Sequence, residues 1–137
     1  MKVIFMVAAI AATFGFTIAT TDFGNNEWKA PAVTDMITNP LKGNAAATAE
    51  GKKTFIQICA PCHGDKGKGD GIAGLALNPR PANYTSDKVQ LQSDGALFWK
   101  ITTGRPPMAS YQDLLNETQR WQLVNYIREL GKNASKK

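Results

Sequence analysis

Residues 59–63 read CAPCH and hold both cysteines and the only histidine of a 137-residue chain. Gathering every soft and borderline ligand into one turn restricts what the chain can be built around. Three chemistries compete for it. Two cysteines separated by two residues suit a redox dithiol, which closes a small disulfide ring at a helix start. A structural zinc ion needs four ligands, normally Cys or His, so here a carboxylate or a second subunit would have to complete the shell. C-x-x-C followed at once by His is the attachment signal for c-type haem, in which the thiols add to two vinyl groups and the imidazole reaches the iron from one face of the macrocycle. The haem reading employs all three residues. A buried histidine beside a structural disulfide would leave the rest of the pattern unexplained.

Haem of this kind is attached outside the cytoplasm, which gives the first twenty residues weight. MKVIFMVAAIAATFGFTIAT has a minimal basic start at Lys2, an apolar run from Val3 to about Ala19, and small residues at its end. It reads as a secretory signal peptide. A membrane span needs roughly 20 apolar residues, and Thr13, Gly15 and Thr17 weaken this shorter run, so an uncleaved anchor is the alternative. No cysteine follows the run to carry a lipid. Residues 1–20 contain one charged residue, Lys2, so their removal lowers the formal charge from +5 to +4. Basic and acidic residues are interspersed and the chain is exported, which argues against nucleic acid as a partner. The expected location is the bacterial periplasm, with membrane association only if the N-terminal segment stays uncleaved.

The rest divides into an extended arm at 21–46, a folded domain at 47–131 and a basic tail at 132–137. The arm is rich in Pro, Gly and Asn, lacks sustained periodicity, and carries Trp28 as an anchor. In NAAATAEGKKTFIQIC, Ala47, Gly51, Phe55 and Ile58 share one helical face running into the motif. Gly51 costs that helix about 0.5–1 kcal/mol against alanine, which suggests a close crossing with another helix. SDGALFWKITTG starts at the N-cap Ser93 and stops at Gly104. NETQRWQLVNYIRELG pairs Asn116 with Gln119 in a capping box, presents Leu123, Tyr126, Ile127 and Leu130, and ends at Gly131. These stripes are core by default. Strand-like alternation is lacking, so the expected class is all-α.

These features together resemble the monohaem class I c-type cytochromes of bacteria, over roughly residues 47–131. Four parts carry the resemblance: the CAPCH motif; a preceding helix with Gly51 and Phe55; a last helix with an aromatic among aliphatics in LVNYI; and a loop, TGRPPMASY, that supplies a methionine. The WKAP arm and the SDGALFWKI helix are similar to small exported cytochromes of the Bacteroidetes type. The resemblance implies a cytochrome c fold, with the first and last helices crossing near a right angle and the C-terminal aromatic over the glycine. It also implies one covalent haem c with His and Met on the iron. The family usually has proline directly after that methionine, where this chain has Ala109.

The methionine follows from the residues as well. A low-spin haem that only carries electrons takes a second strong axial ligand, commonly Met or His. With no second histidine, the choice after residue 20 lies between Met36 and Met108. Met108 follows Gly104, Pro106 and Pro107, whose fixed φ values present a side chain at little entropic cost, so Met108 is favoured over Met36 or an open position. His63 needs an acceptor for its other ring nitrogen. In the family a downstream proline carbonyl provides it, and LALNPRPANYT offers Pro79 and Pro81, with spacing favouring Pro81. Arg80, Tyr84, Trp99 and Arg105 are candidate partners for the haem propionates.

GDKGKGDGIAG lacks the G-K-[ST] ending and the preceding strand of a phosphate loop. It is expected to wrap the porphyrin edge, where backbone without Cβ approaches closely, with Lys66 and Lys68 ringing the exposed rim. The expected function is one-electron transfer, not catalysis, between redox proteins that present an acidic docking patch. A dedicated subunit of a larger oxidoreductase is the alternative, and a haem enzyme or sensor with an open sixth position comes after it.

Overall fold

The computed structural model describes residues 27–136; the segment read as a signal peptide, the first residues of the arm and Lys137 lie outside the described residues. The architecture is helical: α1 (Ala45–Thr54), α2 (Ala60–His63), α3 (Asp87–Gln90), α4 (Asp94–Thr103) and α5 (Glu117–Ala134). Among the described residues there is no strand, only an isolated bridge between Arg105 and Met108.

The two longest-range partners are α1 and α5, and Gly51 is where they meet. A Cβ at Gly51 would lie 2.0 Å from the Gln122 carbonyl oxygen and 3.1 Å from the Leu123 nitrogen, so α5 lays its backbone directly on the glycine. Tyr126, one turn further along α5, meets the buried Phe55 of the same helical face edge-on, with ring centroids 5.1 Å apart. Phe55, Leu123 and Val124 are the large side chains most completely withdrawn from solvent, each burial contributing about 1.5–3 kcal/mol.

Side chains cap three helix starts, two of them, Ser93 and Asn116, as expected and the third, Asn44, unforeseen. Asn44 accepts from the Ala47 N–H, Ser93 from the Ala96 N–H, and Asn116 from the Gln119 N–H while the Gln119 side chain accepts from the Asn116 N–H. The end of α5 differs from the expectation. Gly131 does not terminate the helix, which runs on to Ala134. Its lack of a side chain serves packing, because a Cβ there would lie 2.3 Å from the Gln90 side chain, which donates to the Ile127 carbonyl. Between α1 and α2 the backbone widens into a π-turn, Phe55–Cys59, which sequence periodicity had continued as plain α-helix.

The arm is docked, not merely laid on the domain. Pro31 precedes a 3₁₀ turn, Ala32–Met36, and a Cβ at Gly95 of α4 would meet the Thr34 carbonyl. Further on, buried Asn39 donates to Asp94 at 3.0 Å and to Asn125 at 2.9 Å. Arg128 of α5 donates from Nε to the other Asp94 oxygen at 2.7 Å. Burial by itself pushes the Asp94 carboxyl up, but the Asn39 amide and the Arg128 guanidinium outweigh it and hold the group below its usual range. One network thus ties the arm to α4 and α5.

Overpacking a tight backbone contact costs about 1–3 kcal/mol. Gly51→Val is expected to lower stability by that amount, read as a lower denaturant midpoint at unchanged slope. Ala49→Val, at an exposed position of the same helix, should have a markedly smaller effect.

Candidate functional site

The π-turn delivers Cys59 to the start of α2, with Cys62 and His63 on the same short helix. A π-turn inserts an extra residue into the helical repeat and is frequent at functional sites; here it changes the phase between the face packed on α5 and the face carrying the motif. Gly64 closes α2 with φ +79°. His63 is buried, 8 % exposed. Its Nδ1 lies 3.0 Å from the Ala82 carbonyl oxygen, and its Nε2 lies 3.1 Å from the Tyr84 hydroxyl.

That carbonyl belongs to Ala82, one residue beyond the expected Pro81. The prolines shape the segment, and the residue after them delivers the acceptor. With Nδ1–H donating to the Ala82 oxygen, the lone pair on Nε2 accepts from the Tyr84 O–H. Burial lowers the affinity of His63 for a second proton, although the Ala82 contact works the other way; the net direction favours the neutral imidazole, the form that ligates metals. Tyr84, expected at a propionate, is wholly enclosed and stacks on His63 with centroids 4.3 Å apart and planes at 15°. Burial also raises its hydroxyl well above the usual range, so it stays a donor.

These side chains open onto a cavity of about 890 Å³ that Cys59, Cys62, His63, Met108, Ile101 and Tyr111 help to line. Met108 arrives there on a tight turn. Arg105 N–H donates to the Met108 carbonyl at 3.0 Å and Met108 N–H to the Arg105 carbonyl at 2.8 Å, with Pro106 and Pro107 at the corner. Gly104 starts the loop with φ +64°, and a Cβ there would collide with Ala109. Met36, by contrast, is 82 % exposed and stands outside the cavity.

Of the proposed propionate partners, Arg80, Tyr84 and Arg105 line the cavity and Trp99 does not. Trp99 packs beside Trp28, with centroids 6.3 Å apart, and it is Trp28, from the arm, that forms the wall. Sequence reasoning missed Lys88 and Lys100. Basic side chains on the wall, Lys29, Arg80, Lys88, Lys100 and Arg105, outnumber the acidic Glu27 and Asp35.

The glycine-rich loop also has a different role from the one expected. Cβ atoms at Gly71 and Gly74 would lie 2.4 Å from the Pro61 and Cys62 carbonyl oxygens, and one at Gly69 2.5 Å from the Pro81 oxygen. The loop therefore packs on the backbone of the motif and of the proline segment; its glycines are not on the cavity wall. Lys66 and Lys68 are exposed on this loop, away from that wall.

The geometry separates the three chemistries. A redox dithiol works through a thiol of lowered pKa, whereas burial, with Cys62 adding, pushes the Cys59 thiol up to about 12. A zinc site needs further ligands, and among the described residues no three His, Cys, Asp or Glu side chains converge to hold a metal ion. A macrocycle fits: two thiols one helical turn apart, a neutral imidazole, an apolar cavity of sufficient volume, and a surplus of cations on its wall to meet carboxylates.

Comparison with known proteins gives the same direction. The profile described as cytochrome c oxidase, cbb3-type, subunit III matches residues 46–127. A solved chain from the Kuenenia stuttgartiensis reducing HAO-like protein complex Kustc0457/Kustc0458 is similar at 30 % identity and a TM-score of 0.54, over 64 % of this chain. The match spans 44 % of that chain's length. No curated protein matches.

If Cys59 and Cys62 both form thioethers, the chromophore should stay with the chain through acid–organic extraction. The double substitution Cys59→Ala/Cys62→Ala should release it, and should leave little folded protein, since the cavity would lose its filling. Absorbance of the extracted polypeptide checks both outcomes.

Proposed function

The chain belongs to the c-type cytochrome family represented by the cbb3-type subunit III domain, and from that premise we propose that it is a one-electron carrier of the bacterial periplasm whose iron is held between His63 and Met108. The family carries covalently bound haem c, and Cys59 and Cys62 stand at the attachment positions. The observation that carries the reading is that the motif and Met108, 45 or more residues apart in sequence, line one cavity.

When bound, the haem supplies the one-electron chemistry, and the protein supplies orientation and tuning. His63 offers the Nε2 lone pair, which the Tyr84 hydroxyl must give up to a metal. The Ala82 carbonyl fixes the tautomer and the ring plane. Met108 offers a soft thioether, the pairing with His that raises the potential in cytochromes c, and its turn is stiffened by two prolines and two backbone hydrogen bonds. A thioether from Met108 on the bound iron would leave no open position for a substrate or gas, which favours a carrier over a haem enzyme or sensor. Enclosure by apolar residues such as Ile101 and Leu97 limits access of water.

A dedicated subunit of a larger oxidoreductase is the second reading, and the similarity to one chain of a redox complex favours it. Among the described residues no helix is long and apolar enough to cross a membrane. Both readings require redox protein partners.

Oxidised protein is expected to be low-spin with the far-red absorption of sulfur-to-iron charge transfer. Met108→Ala should abolish that band and admit small exogenous ligands, while Met36→Ala should leave the spectrum unchanged.

Exposed Lys66, Lys68 and Arg80 suit a partner with an acidic docking patch. For such a partner the bimolecular electron-transfer rate should fall as salt shortens the Debye length from about 10 Å at 0.1 M. The fall should be shallower in Lys66→Gln/Lys68→Gln. A rate that is flat or rising with salt would instead indicate an apolar docking face or a permanently attached subunit.

A further inference from the structure

The arm lies outside the span of the family match, residues 46–127, yet Glu27, Trp28 and Asp35 form part of the cavity wall. What it adds there is specific. The Trp28 indole is flanked by two cations, with Lys100 Nζ 5.4 Å and the Arg105 guanidinium carbon 5.5 Å from the ring centroid. Beside it, Glu27 draws in Lys88 at 3.4 Å and Lys29 at 3.7 Å. Lys100 is further fixed by the Gln92 side chain, which accepts from its Nζ at 2.6 Å.

Cations gathered this closely repel one another and need anions. Burial lowers the pKa of Lys100; Glu27 opposes that, and Arg105 and Lys88 add to it. Glu27 thus pairs with Lys88 and acts on Lys100 through its charge. An apolar plate with cations close to its ring at a cavity wall is suited to carboxylates carried on a flat apolar body, because the plate orders the cations and excludes water from one side.

The geometry points to a clamp of Lys88, Lys100 and Arg105, gathered beside Trp28 of the arm, as the part of the chain that receives the two carboxylates of the macrocycle, with the arm's Glu27 as the competing anion. This rests on the haem reading above. Trp28 is a positioning residue in the clamp; the three cations are the binding groups. The clamp also ties the potential of the iron to the arm, since each cation nearby disfavours the oxidised, more positive state and Glu27 favours it.

The test uses the full-length holoprotein, with covalent haem content measured first in every variant. Redox titration at fixed pH should show a lower potential for Lys100→Gln and Lys88→Gln, a higher one for Glu27→Gln, and no shift for Lys53→Gln, whose exposed side chain pairs with Glu50 on α1. Nuclear magnetic resonance of the propionate methylene protons should show displaced signals in Lys100→Gln and Trp28→Leu and unmoved signals in Lys53→Gln. A merely structural role would not give potentials of opposite sign for the lysine and glutamate variants. Covalent haem with unmoved propionate signals in Lys100→Gln and Trp28→Leu, or potentials shifting the same way in Lys100→Gln and Glu27→Gln, would overturn the clamp alone. Absence of covalent haem from the wild type would overturn the haem reading and the clamp together.

Discussion

Between Gly51 and the Gln122 carbonyl there is no room for one carbon atom, and the placement of the motif depends on that contact. With α1 seated on the backbone of α5, Phe55 falls against Tyr126 and Tyr84, and the chain enters the π-turn already fixed in position and direction. A continuous α-helix would carry the face packed on α5 straight through to Cys59. The π-turn breaks that phase, so the same segment can bury Phe55 in the core and turn its cysteines to the cavity. Backbone proximity at one glycine and a widened turn four residues later are thus parts of one device.

Much of this was legible because it depends on residue types with a single physical use. Two cysteines and one histidine in five residues leave few chemistries, a glycine in a helix face asks for a close neighbour, and Asn116 with Gln119 can only be a helix start. The stiff loop that brings Met108 to the cavity wall was legible through its prolines. What escaped the sequence is what depends on backbone position and on distant partners. Any residue can offer a carbonyl, so nothing marks Ala82 over Pro81. The glycines at 69, 71 and 74 announce close approach but not what is approached; they meet peptide groups of the motif and of Pro81. Trp99 and Lys100 are neighbours on α4, and only the arm's position decides which of them reaches the cavity wall. Gly131 resembles a helix stop until Gln90, brought from the end of α3 41 positions earlier, is seen to occupy the space of its side chain.

The polar interior has a division of labour. Asn39, Asp94, Asn125 and Arg128 satisfy one another and fasten the arm, in keeping with the rule that a buried charge is tolerated only when paired and hydrogen-bonded. His63, Ala82 and Tyr84 form a smaller set in which a single lone pair, on Nε2, is turned toward a hydroxyl that could be replaced by a stronger partner. The first set holds the fold together regardless of what fills the cavity. The second set is the part whose arrangement a cofactor would change.

The arm's fastening also orders events during synthesis. Asn39 binds to residues 55 and 86 positions downstream, so the arm has no place to settle until α4 and α5 exist. Loop closure over such separations is slow compared with the formation of local helices. Until the arm is fastened, the wall of the cavity that holds Trp28 has no fixed place. A rigid, bulky guest would have its passage before that fastening, and the arm would be the door that shuts behind it.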